Sequence, residues 1–96
     1  MTLEESYEDL MKVFAEVESV DDMKALFTDI FTPAEIKDFT IRWKLMNDLM
    51  EGKPQRKIAS DLRISLCRIT RGSKMLKKKE GYVSRLLHDR HDETHR

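Results

Sequence analysis

The run QRKIASDLRISLCRITRGSK, residues 55–74, holds the residues best placed to do chemistry. Between Lys53 and Lys79 stand ten Lys or Arg (53, 56, 57, 63, 68, 71, 74, 77, 78 and 79) against one acid, Asp61. The chemistry this suits is neutralisation of phosphates rather than bond making, because clustered cations on a compact apolar frame bind a nucleic-acid backbone. Apolar spacing divides the run into two short helices, 55–62 and 66–78, joined by a tight turn, which is the pattern of a helix-turn-helix. Ile58, Leu62, Ile64, Ile69 and Leu76 are expected to form the core between them, with the small Ala59 at their closest approach. Gln55, Arg56 and Lys57 start the first helix, where the motif touches the DNA backbone. Ser65 is placed to cap the second helix, so its hydroxyl and the helix N-terminus both favour a phosphate. Leu66, Cys67, Arg68, Thr70 and Arg71 include the outward positions that meet base edges, with Lys74 further along. Arg63 occupies a turn position that often holds glycine.

Charge is strongly segregated along the chain. Residues 1–51 carry five basic and thirteen acidic groups, so the formal net charge of zero hides a dipole. Ninety-six residues make one domain, here 1–96, and 40% hydrophobic content supports only a small core. Without β-branched alternating runs the chain is expected to be all-α. No apolar run approaches a membrane span and the acidic N-terminus does not resemble a signal peptide. A single cysteine, Cys67, cannot form an internal disulfide, and the simplest compartment is a reducing cytoplasm.

The elements that must position the basic run are helical. Thr2 with Glu5 has capping-box spacing, and Leu3, Tyr7, Leu10, Met11, Phe14 and Val17 follow as one stripe. Asp21 or Asp22 can cap a short second helix bearing Met23, Leu26, Phe27 and Ile30. Thr32-Pro33 with Glu35 begins a third helix that runs to Glu51. Ile36, Phe39, Trp43, Met46 and Met50 line one side of it, and Ile41, Leu45 and Leu49 widen that surface. Gly52 ends it, Lys53-Pro54 turns into the basic run, and a last amphipathic piece covers 82–90. A third helix that is apolar on nearly all sides needs more cover than one short chain supplies, so a homodimer is expected, with residues 1–51 as its dimerisation part.

Other constellations are weaker. His88, His91 and His95 have helical spacing but lie in a polar tail without cysteine, so no metal site is assigned. Cys67 is read as a small half-apolar contact. The carboxylates have no pocket and nucleophile beside them, and an enzyme is not expected.

Thr32-Pro33-x-Glu35, Arg42 ten residues after Thr32, Leu49-x-x-Gly52, Gln55-Arg56 and Ile69-Thr70-Arg71-Gly72-Ser73 followed by Leu76-Lys77 form a longer signature. In this the chain resembles the Trp repressor family of bacterial transcription regulators, from Phe31 to Lys77. The resemblance implies a six-helix, intertwined, all-helical homodimer whose two helix-turn-helix units reach successive major grooves of double-stranded DNA. Trp repressors are themselves type cases of that docking geometry. It also implies L-tryptophan as a non-covalent corepressor that sets the spacing of the two units. Arg42 and Arg71 would flank the ligand ring, Arg71 would hold its carboxylate, and Thr32, Phe31 and Gly72 would line the pocket, partly from the opposite subunit.

The chain departs from that pattern at Arg68, where the family has a pocket threonine, at Met75, where it has a serine, and at Asp29, where it has a rim leucine. The connection between Gly52 and Gln55 is one residue shorter. Three functional readings follow: a repressor with an amino-acid corepressor, a DNA-binding regulator of the same fold that needs none, and a basic module for an acidic protein surface.

Overall fold

The computed structural model describes residues 1–78 and 81–94, and the expected all-α class is what it shows. Among the described residues there are six helices and no strand: α1 (Leu3–Glu16), α2 (Val20–Ile30), α3 (Pro33–Met50), α4 (Gln55–Leu62), α5 (Leu66–Lys77) and α6 (Tyr82–Thr94). Lys79 of the basic run and His95 of the histidine series lie outside the described residues. The chain divides into two compact units, Met1–Ile36 and Lys37–Arg96.

In the first unit local caps define the helices. Thr2 Oγ1 accepts the Glu5 N–H at 3.0 Å, and the Glu5 carboxylate accepts the Thr2 N–H at 3.4 Å. The cap of α2 is Ser19, not Asp21 or Asp22: its hydroxyl accepts the Asp22 N–H at 3.0 Å. The two aspartates fall instead in the first turn, where their charge suits the positive end of the helix dipole. Thr32 and Glu35 repeat the reciprocal cap at α3, with Pro33 as its first residue. The Phe27 ring contacts those of both Phe14 and Phe31, with centroids 5.7 and 4.9 Å away. No residue of α1 or α2 is buried, and Leu3 and Tyr7 of the α1 stripe are 91% and 60% exposed.

The second unit holds the core. Leu45, Ile58 and Ile69 are buried together, with Leu49, Ala59, Leu62 and Ile64 packed on them. Leu45 and Leu49 of α3 thus complete the α4–α5 core in place of Leu76, which is half-buried outside it. Leu87 of α6 is also buried. Two turns of the same kind set the path. Lys53 donates to Asp48 O and Gly52 to Leu49 O, with Gly52 at φ 84°. Ile64 donates to Ala59 O and Arg63 to Ser60 O, with Arg63 at φ 54°. In both, a left-handed residue lets the last carbonyls of a helix find donors as the chain reverses.

Asp48 is 5% exposed and lies between Lys53 Nζ at 3.1 Å and Lys44 Nζ at 3.4 Å. The Asp48 hydrogen bond, then its charge, holds the Lys53 ammonium above the usual lysine range. Arg90 of α6 stands over the Trp43 ring, 5.5 Å from its centroid. Even so, Trp43 and Phe39 remain 39% and 41% exposed.

Candidate nucleic-acid and ligand site

The α4–α5 pair is shaped by local chemistry. The left-handed turn at Arg63 ends α4, and Ser65 Oγ then accepts the Arg68 N–H at 3.3 Å to start α5. Ile58, Ala59, Leu62, Ile64 and Ile69 face the core, which leaves the polar positions outside. Gln55, Arg56 and Lys57 are exposed at the start of α4. Ser65, Leu66, Cys67, Thr70 and Lys74 are exposed along the first turns of α5. Thr70 donates its hydroxyl to Leu66 O at 2.9 Å. Cys67 is a free, exposed thiol.

Arg68 is the exception among the residues expected to meet DNA. It is half-buried, and its guanidinium Nη2 donates to Asp38 Oδ1 of α3 at 2.5 Å. The other oxygen of Asp38 pairs with Arg42 Nη2 at 3.0 Å, so one carboxylate joins two guanidinium groups.

Those two arginines and Arg71 form the charged rim of a cavity of about 310 Å³. Its remaining wall is apolar, from Leu45, Met46, Met75 and Val83, with Gly72 at the point where α5 meets α3. The volume and the mixture of an apolar wall with a few convergent charges suit a small organic anion. Among the described residues no carboxylate pairs with Arg71.

Of the five residues expected around a corepressor, Arg42, Arg71 and Gly72 are brought to this one cavity. Thr32 and Phe31 belong to the first unit, where Thr32 caps α3 and Phe31 packs on Phe27. Arg68 and Met75, the two departures noted in the sequence, both line the cavity. Asp38 joins the site without a sequence signal that marks it. Its spacing of four from Arg42 is legible as a helical ion pair, but nothing in the spacing reports Arg68, thirty residues on. In α6, His88 Nδ1 is 3.1 Å from Asp92 Oδ2, and among the described residues no group of three or more potential metal ligands is found. No helix among the described residues is long and apolar enough to cross a membrane.

The class of protein to which this all-α chain, with its capped helix pair and arginine-rimmed cavity, belongs is given by comparison with known proteins. The family model described as Trp repressor protein matches residues 5–91. A Trp operon repressor homolog of Xylella fastidiosa (strain M23) is 36% identical over 74 residues, covering 76% of this chain and 80% of the relative. Another, of Vibrio campbellii, is 35% identical over 83 residues, covering 82% of this chain and 83% of the relative. A third, of Vibrio parahaemolyticus serotype O3:K6, is 34% identical over 83 residues, covering 82% of this chain and 81% of the relative. No solved structure matches the chain. The chain belongs to the Trp repressor protein family, a family of transcription regulators and not of enzymes.

Proposed function

We propose that this protein is a sequence-specific, DNA-binding transcriptional repressor that acts as a homodimer in the cytoplasm under the control of a small corepressor. In this reading the chain is one domain in which α1–α3 build the dimer, α4 and α5 are a helix-turn-helix, and α6 closes the unit. The observation that carries it is the α4–α5 pair: a capped, left-handed turn between two helices, with exposed Gln55, Arg56, Lys57, Leu66, Cys67, Thr70 and Lys74 along them. Backbone phosphates fit the start of α4 and Ser65, and base edges fit the first turns of α5.

The corepressor fits the arginine-rimmed cavity, and L-tryptophan is the candidate supported by family membership. Its carboxylate would pair with Arg71, which no carboxylate among the described residues engages, its ring would stack on a guanidinium plane of Arg42 or Arg71, and Gly72 would let it approach α5. Thr32 and Phe31 would complete the pocket from the opposite subunit. Exposed Phe39 and Trp43 on α3 support the dimer, since burial of such rings drives association.

Titration of duplex DNA at several salt concentrations, with and without L-tryptophan, tests this reading. If each subunit neutralises about three or four phosphates, the log–log salt slope of the dimer is roughly −5 to −7. A flat salt dependence would instead favour an acidic protein partner.

A further inference from the structure

We propose that Asp38 is a positioning residue: a carboxylate of the chain itself that docks the first turn of α5 on α3 in the absence of any ligand. DNA affinity would then depend on an acidic residue that never meets DNA. The inference rests on the DNA-binding reading above.

The geometry is specific. Asp38 and Arg42 are one helical turn apart on α3 and paired at 3.0 Å, which orients the carboxylate. Its second oxygen receives Arg68 Nη2 at 2.5 Å. Arg68 lies in the first turn of α5, and its backbone N–H is already held by Ser65 Oγ. Main chain and side chain of one residue are therefore both pinned, the first by its own helix cap and the second by another helix. A guanidinium in the first turn stands at the positive end of the helix dipole, where an unpartnered cation is disfavoured, so the carboxylate removes a local conflict as well. Paired guanidinium groups on a cavity rim are receptors for a carboxylate, and here the chain supplies one. With the fork of Arg68 turned toward α3, Leu66, Cys67, Thr70 and Lys74 remain as the outward face of α5, at an angle that the Asp38 bridge helps to set.

The sign of the effect separates this from ordinary electrostatics. Removing an acid from a DNA-binding protein reduces repulsion of phosphates and by itself raises affinity. Loss of the bridge lowers it. The test uses the full chain without added amino acid and a duplex selected from a random pool by the wild type. Asp38→Asn is expected to bind roughly five- to thirtyfold more weakly, since a dimer holds two half-exposed bridges. Its helicity and melting temperature stay close to those of the wild type, and Asp38→Glu restores most of the affinity. Arg68→Gln removes the other half of the bridge, and the double variant is expected to lose no more than the single ones. Asp38→Asn binding as tightly as the wild type or tighter, or fully additive losses in the cycle, overturns the proposal. A wild type that binds no duplex at low salt overturns the DNA-binding reading itself, and this inference with it.

Discussion

Gly72 of α5 and Leu45 of α3 meet so closely that a methyl group on Gly72 would stand 3.3 Å from Leu45 Cδ2. Leu49 Cδ1 would be 3.4 Å away. Leu45 is itself packed on Ile58 and Ile69, so it has little room to retreat. Gly72→Ala is expected to leave stability nearly unchanged, because the gain in helix propensity, up to about 1 kcal/mol, offsets the overlap. Gly72→Val adds bulk that Leu45 and Leu49 cannot both avoid, and is expected to cost about 1–3 kcal/mol. Urea unfolding of the three proteins checks this, and a neutral valine would contradict the close approach.

Arg63 sits in the left-handed region at φ 54°, which glycine adopts without the clash of a Cβ. Arg63→Gly is expected to raise stability by about 1 kcal/mol, and Arg63→Val to lower it. Thermal melts of the two variants give opposite shifts if the turn is built this way.

The Lys53–Asp48 pair gives an alkaline limit. Because the folded-state value of Lys53 lies above its ordinary 10.5, the stability this pair contributes is fully present below pH 10.5. It is lost as pH rises through the folded-state value. Unfolding at neutral and strongly alkaline pH should therefore show an alkaline loss in the wild type that Lys53→Met lacks in part. Equal losses in both would remove the pair as the cause.

Arg71 separates ligand from phosphate. Arg71→Leu keeps most of the aliphatic packing and is expected to fold normally. If Arg71 holds the corepressor carboxylate, the variant binds L-tryptophan about ten- to a hundredfold more weakly, the loss of one charge-assisted contact. DNA affinity then falls mainly in the ligand-bound comparison. If Arg71 meets only phosphate, DNA affinity drops equally with and without tryptophan and the salt slope loses about one unit. Isotherms on both proteins decide between the two.

Assembly is checked by sedimentation. The protein is expected to sediment at micromolar concentration as twice its 11.4 kDa chain. A compact species of single-chain mass would remove the dimer and, with it, a pocket shared between subunits.

What the amino-acid sequence determined by itself was the part governed by near neighbours. The capping pairs Thr2–Glu5 and Thr32–Glu35, the Ser65 cap, and the left-handed residues Gly52 and Arg63 act over three to five residues, so spacing alone placed them. The α2 cap lies two or three positions before the aspartates the sequence points to, because Ser19, Asp21 and Asp22 can all cap and it is Ser19 whose backbone is extended. Charge segregation and the family signature were equally legible. Tertiary structure alone decided the rest. It put Leu45 and Leu49 into the α4–α5 core, brought Arg68 and Met75 to the cavity of Arg42 and Arg71, and turned Arg68 onto Asp38. An arginine side chain can reach in many directions from the same backbone. Which one it takes depends on a carboxylate thirty residues earlier, brought within 2.5 Å by the packing of α5 on α3.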